Sequence, residues 1–147
     1  MKRDSRLSSV LHALLHMSEH GTPLTSDMLA GCMNTNPVVV RRTMGQLRKA
    51  GFVRSAKGHA GGWTIAVTLE DITLRQLHEA LGEPAIFAIG NRNENPPCLV
   101  EQAVNSVLED AFADAEALLL ERFASVTLAD LAADFSRRHR GRLHGKG

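Results

Sequence analysis

Asn36-Pro37-Val38-Val39-Val40-Arg41-Arg42-Thr43-Met44-Gly45-Gln46-Leu47-Arg48-Lys49-Ala50-Gly51 is the stretch whose reading decides the fold. Asn36 suits a helix cap, and Pro37 takes the first helical position, where a missing N–H costs nothing. Val40, Met44 and Leu47 then fall on one side at helical spacing, and Gly51 ends the helix. Upstream, Thr25 or Ser26 caps a shorter helix with Met28, Leu29 and Cys32 as its inner face. Asn34-Thr35-Asn36 forms the turn between them. Two short helices about such a turn make a helix-turn-helix. Downstream, strand-like residues 52–55 and 63–67 flank Lys57-Gly58-His59-Ala60-Gly61-Gly62. Three glycines there permit the positive φ angles of a hairpin tip. A hairpin directly after such a helix is a wing. The expected fold is mainly α with a small β-hairpin: a winged helix-turn-helix domain with a long dimerisation helix attached.

Outward from that core, residues 7–20 place Leu7, Val10, Leu11, Leu14, Leu15 and Met17 at helical period before Gly21 and Pro23 stop them. Thr73 caps a further helix with Leu74, Leu77 and Leu81 inward. Residues 83–97 read as a loop with Gly90 and Pro96-Pro97, the expected boundary. Residues 99–123 then form one amphipathic helix roughly 35–40 Å long. Its stripe is Val100, Val104, Val107, Ala111, Ala115, Leu118 and Leu119. Its wet side carries Glu101, Glu109, Asp110, Asp114, Glu116 and Glu121. A lone helix of that length cannot bury its stripe unaided, so pairing with the same helix of a second protomer is expected. Thr127 caps a last short helix, residues 127–135, and residues 137–147 read as a basic, disordered tail. The expected organisation is a DNA-binding domain over 1–82, a loop over 83–97, a dimerisation arm over 98–136 and the tail.

Charge supports this division. Residues 28–69 contain no Asp or Glu but six basic residues: Arg41, Arg42, Arg48, Lys49, Arg54 and Lys57. Residues 70–135 hold thirteen acidic residues against Arg75, Arg92 and Arg122. A formal net charge of +1 over 147 residues thus hides a basic module followed by an acidic one. A one-sided cluster of cations is the footprint of a protein that meets a polyanion, most often nucleic acid. At 44% hydrophobic residues the chain can bury a core. The first helix is too short and polar to span a membrane, and no small-residue cleavage site follows it. Two distant cysteines are no disulfide framework, so a cytoplasmic, reducing setting is expected.

The run TSDMLAGCMNTNPVVVRRTMGQLRKAGFVRSAKGHAGGWTIA resembles the Rrf-type bacterial regulators, the family that includes the iron–sulfur regulator IscR and the nitric-oxide sensor NsrR. The matching features are Leu29-Ala30, Pro37, Leu47-Arg48-Lys49-Ala50-Gly51 and the wing Ser55-Ala56-Lys57-Gly58-His59-Ala60-Gly61-Gly62-Trp63. The leucine-to-glycine ending has one extra residue, and Trp63 replaces the more usual Tyr or Phe. The resemblance covers nearly the whole chain. It implies a homodimeric, sequence-specific transcriptional regulator, and a repressor is the expected kind. Cluster-binding members carry three cysteines in the loop and the start of the long helix. Here only Cys98 is present, and Glu101 stands where the iron–sulfur assembly regulator has a histidine. The chain resembles the subset without the cluster, so no cofactor is expected.

The expected DNA-contacting residues are Asn34, Thr35, Asn36, Val38, Arg41, Arg42 and Arg48 of the helix-turn-helix. Arg54, Lys57 and His59 of the wing join them, with Thr25 and Ser26 offering backbone N–H groups to phosphate. Cys98 lies at the positive end of the long helix's dipole, a setting that suits a reactive thiol. Two readings stay open for it: a redox or electrophile sensor, or a packing residue. Cys32 is expected in the core. His12, His16 and His20 recur at i, i+4 and i+8, a spacing that can bind a metal. Only Glu19 lies nearby, so a solvated face is the preferred reading and no metal site is assigned. No nucleophile–base–acid set is present, so no enzyme is expected. The alternatives are a winged-helix module that binds protein, and a small redox or metal-binding protein.

Overall fold

Local capping chemistry sets the order of elements. The computed structural model describes residues 5–58, 61–87 and 97–145. Helix α1 runs over Arg6–His20 and ends on Gly21 at φ 67°. Helix α2, Ser26–Met33, begins where the Thr25 hydroxyl accepts the Met28 N–H at 3.2 Å. It ends on Asn34 in the left-handed region, which short Asx side chains tolerate. Helix α3, Pro37–Lys49, begins on Asn36, whose Oδ1 accepts the Val39 N–H at 3.1 Å. Gly51, at φ 86°, turns the chain so that the Phe52 N–H reaches the Leu47 carbonyl at 3.0 Å. That is the closing bond of a Schellman-type helix end.

Strands β1, Val53–Ala56, and β2, Gly62–Ile65, pair antiparallel with Val53 opposite Ile65 and Ala56 opposite Gly62. The hairpin is shifted by about one residue from the sequence expectation, within the usual fraying of strand ends. Leu24 also pairs with β2, its N–H and C=O bonding Trp63 at 3.1 and 2.8 Å. A 3₁₀ turn over Leu69–Asp71 leads to α4, Leu74–Ala80, which opens with a Thr73–Gln76 capping box. Then come α5, Leu99–Ala124, and α6, Leu128–His144.

The core is built by Val10 and Leu14 of α1, Leu29 of α2, Val40, Met44 and Leu47 of α3, Val53, Ile72 and Leu77. Met28, expected on the inner face of α2, is 48% exposed, while Leu29 and Ala30 are buried. The eight-residue helix presents only a narrow buried stripe, Leu29 and Ala30. Cys32 is half-buried. Leu128, from the other end of the chain, is fully buried in the same cluster. Its N–H bonds the Ile72 carbonyl at 2.8 Å, and the Leu74 N–H bonds the Val126 carbonyl at 3.0 Å. The last helix therefore packs on the N-terminal half, against α1 and the 3₁₀ turn.

That helix is longer than the sequence suggested. Residues 137–144, expected as disordered tail, continue α6, so the tail reading is corrected over this span. Asp134 accepts hydrogen bonds from Arg138 Nε and, at 3.1 Å, from Arg137 Nη2, pairs at i+4 and i+3 that bridge the expected end. Gly141 costs helix propensity, but it does not break the ladder. These guanidiniums, Arg138 foremost, hold the Asp134 carboxyl below the ordinary carboxylate value. A carboxyl depressed on folding contributes stability above its unfolded pKa, lost as pH falls through the folded one. The last turns of α6 should therefore lose helical chemical shifts before its first turns in an NMR titration from pH 7 to below about 4. Asp134→Asn should abolish that difference.

Candidate nucleic-acid interface

Burying Val40, Thr43, Met44 and Leu47 fixes the roll of α3 and turns the opposite side outward. That outer side carries Val38, Arg41, Arg42, Gln46, Arg48 and Lys49, all exposed. Gln46 was not among the expected contacts. Its place one turn beyond Arg42 was the signal for it, and its amide can both donate and accept. Asn34 is exposed at the turn, and Thr35 is half-buried. Asn36 is exposed, but its Oδ1 is engaged as the cap. It cannot read adenine bidentately while it holds the helix start, which needs that oxygen.

The wing lies beside the end of α3. In β1 the Val53 side chain points inward and Arg54 outward. Lys57 is exposed at the hairpin, and His59 lies outside the described residues. Arg48, Gly51, Val53, Arg54, Ser55 and Ala66 line an open groove of about 470 Å³ between helix and wing. Two guanidiniums at its edge suit it to a phosphate chain. Among the described residues, Arg41, Arg42, Arg48, Arg54 and Lys57 have no carboxylate partner. The described ion pairs lie on α4 and α6, Arg75 with Glu79 and Asp134 with Arg137 and Arg138. The cationic face is thus left uncompensated, as contact with a polyanion requires.

One contact escaped the sequence reading. Trp63 Nε1 donates to the Ser26 hydroxyl at 3.1 Å, tying the wing to the first turn of α2. The Thr25 hydroxyl is likewise occupied as a cap. The side chains of both residues serve the fold.

At the start of the long helix, Cys98 is exposed and forms the N-cap of α5 without a side-chain cap bond. Along α5, Val100 is 72% exposed, Val104 51%, Val107 68% and Leu118 70%, a far larger apolar stripe than a solvated helix carries. Ala111 and Ala115 are exposed on the same side, whereas Leu119 is half-covered by its own chain. Phe123 meets the buried His78 edge-on, ring centroids 6.3 Å apart, and so seats the end of α5 on α4. No helix among the described residues is long and apolar enough to cross a membrane.

Two capped helices about a tight turn, followed by a hairpin with a cationic outer face, define a winged helix-turn-helix of the DNA-binding kind. The Rrf2 family, described as iron-dependent transcriptional regulators, matches residues 3–134. The chain belongs to this family, whose members are transcriptional regulators and not enzymes. YwnA of Bacillus subtilis (strain 168), named as an HTH-type transcriptional regulator, is 31% identical over 131 residues, 87% of this chain and 95% of YwnA. The protein rrf2 of Nitratidesulfovibrio vulgaris is 28% identical over 138 residues, covering 92% of this chain and 90% of its own. A crystal structure of a transcriptional regulator from Lactobacillus plantarum superposes with a TM-score of 0.73 over 97% of both chains, at 24% identity. That last likeness concerns the fold alone.

Proposed function

We propose that this DNA-binding regulator acts as a homodimeric repressor on a pseudo-palindromic operator in the cytoplasm. The observation that carries the dimer is the uncovered stripe Val100, Val104, Val107, Ala111, Ala115 and Leu118, with Leu119 at its edge. Covering such a stripe with its own copy buries apolar surface without new charge. The paired arms then set the distance between two α3 helices, which enter major grooves about 34–36 Å apart. Thr25, Ser26, Asn34, Thr35, Val38, Arg41, Arg42, Arg48, Arg54, Lys57 and His59 make the contacts, and Gln46 joins them. The Asn36 amide N–H₂ remains available beside its capping oxygen.

The donor set argues against an iron–sulfur cluster. The chain has two cysteines, one half-buried in α2 and one at the start of α5. Among the described residues no three His, Cys, Asp or Glu side chains gather. Such clusters take four protein ligands, mostly thiolates. The signal we infer is therefore an oxidant or electrophile that meets the exposed Cys98 thiol. Modification at the N-cap of α5 shifts the balance between DNA-competent and incompetent arm geometries.

Selection from random duplex DNA with reduced, oxidised and Cys98→Ser protein tests this reading. We expect one palindromic site, bound by the reduced and serine forms alike, with oxidation acting only when Cys98 is present. Failure to enrich any sequence at moderate salt sinks the regulator reading for this face. Arg42→Ala should lower operator affinity about 10- to 100-fold, the scale of losing one good base or phosphate contact. The dimer should remain intact by sedimentation.

A further inference from the structure

Burial of Val10, Ala13, Leu14 and Met17 turns one side of α1 inward. His12, His16 and His20 are exposed on its outer side. Two of these rings meet. His12 Nε2 and His16 Nε2 lie 2.9 Å apart, with ring centroids at 4.7 Å and planes inclined by 47°. One N–H···N hydrogen bond can account for a neutral pair. The same two atoms are also the nitrogens through which histidine binds metals.

Metal geometries differ in the spacing of adjacent ligand atoms. Two nitrogens held at about 2.0–2.1 Å from an ion and 90° apart are separated by about 2.9 Å, whereas tetrahedral ligands are separated by about 3.3 Å. The observed spacing matches a cis edge of tetragonal coordination. With imidazole donors, that geometry belongs to Cu(II) or Ni(II).

We propose that His12 and His16 form a two-histidine clamp for a tetragonal divalent ion, Ni(II) or Cu(II). Water completes the coordination, since among the described residues no third His, Cys, Asp or Glu joins the pair. The clamp spans one turn of α1, so a bound ion staples the helix that supports both α2 and β2. The sequence spacing alone did not assign this site; the approach of the two nitrogens does.

The test uses full-length protein carrying Cys98→Ser, so that the exposed thiol cannot compete, and nickel chloride as the probe. Calorimetry should show one Ni(II) per chain, and melting followed by circular dichroism should show a Tm that rises with Ni(II) concentration. His12→Ala and His16→Ala should each lower affinity about tenfold or more, the least expected for removing a direct ligand, and cancel the Tm rise. His20→Ala should bind as the parent does. Paramagnetic Cu(II) should broaden the ring signals of His12 and His16 before those of other histidines. Undiminished Ni(II) binding by a folded His12→Ala protein overturns the proposal. So does broadening that begins at another histidine, or the absence of saturable binding in the parent.

Discussion

Val107→Glu combined with Leu118→Glu is expected to convert the protein to a monomer and to lower operator affinity about 100-fold or more, because two-site binding is lost. Both side chains are largely exposed in the single chain, at 68% and 70%. A glutamate at either place costs the isolated protomer little, and its helix and melting curve should be nearly unchanged. In a paired arm the same change confronts four carboxylates with an apolar seam. An unpaired buried charge costs about 3–5 kcal/mol, enough on its own to undo a modest interface. Analytical ultracentrifugation reads the outcome directly. A double variant that stays dimeric places the protomer contact somewhere other than this stripe. A variant that is monomeric yet binds the operator as the parent does would separate dimerisation from DNA reading.

Gly62→Ala carries the second large effect, and it acts on the wing. Gly62 has φ +149°, and a Cβ built there would lie 2.7 Å from the Leu24 carbonyl oxygen and 2.8 Å from its carbon. These are backbone atoms held by the Leu24–Trp63 bridge, so they cannot step aside cheaply. Strain of about 1–3 kcal/mol is expected from the backbone region alone, with the clash added to it. For a domain of this size that lowers Tm by at least about 3–6 °C. DNA affinity should fall with it, as the hairpin parts from α2. Gly31→Ala is the matched control: that glycine lies inside α2 with open space around it. There alanine should stabilise by about 0.5–1 kcal/mol. Equal melting temperatures for the two variants would show that the Leu24 bridge does not constrain the wing.

These two sites mark where sequence reasoning succeeded and where it stopped. Asn36-Pro37, Gly51, Thr73 and Thr127 act within four residues of themselves, through caps, first-turn geometry and chain reversal, so local spacing revealed the elements they bound. The cationic face of α3 followed from the same periodicity. The apolar stripe of α5 was legible too, apart from Leu119, because an amphipathic period announces a face even when it does not say what covers it. Contacts between distant residues left no such mark. Nothing local in Leu24 indicates that it borders Trp63, nor in Ser26 that its hydroxyl receives the indole N–H. The continuation of α6 was hidden by a run of arginines and a glycine, whose composition suggests disorder. Its ion pairs with Asp134 become apparent only once helical spacing is assumed. Asn36 illustrates a different limit: its type fits both a cap and a base reader, and geometry shows the oxygen committed to the first.

Leu128 has a consequence for how this chain can change over time. It fills the core of the N-terminal half from beyond the long helix α5, and the Thr73–Thr127 bridge fastens it there. Residues 1–82 are therefore not a detachable cassette. Grafted onto a foreign arm, they would carry away a core missing its plug. The reader and its far terminus have to be inherited together, and substitutions at Ile72, Leu77 and Leu128 should drift as a set.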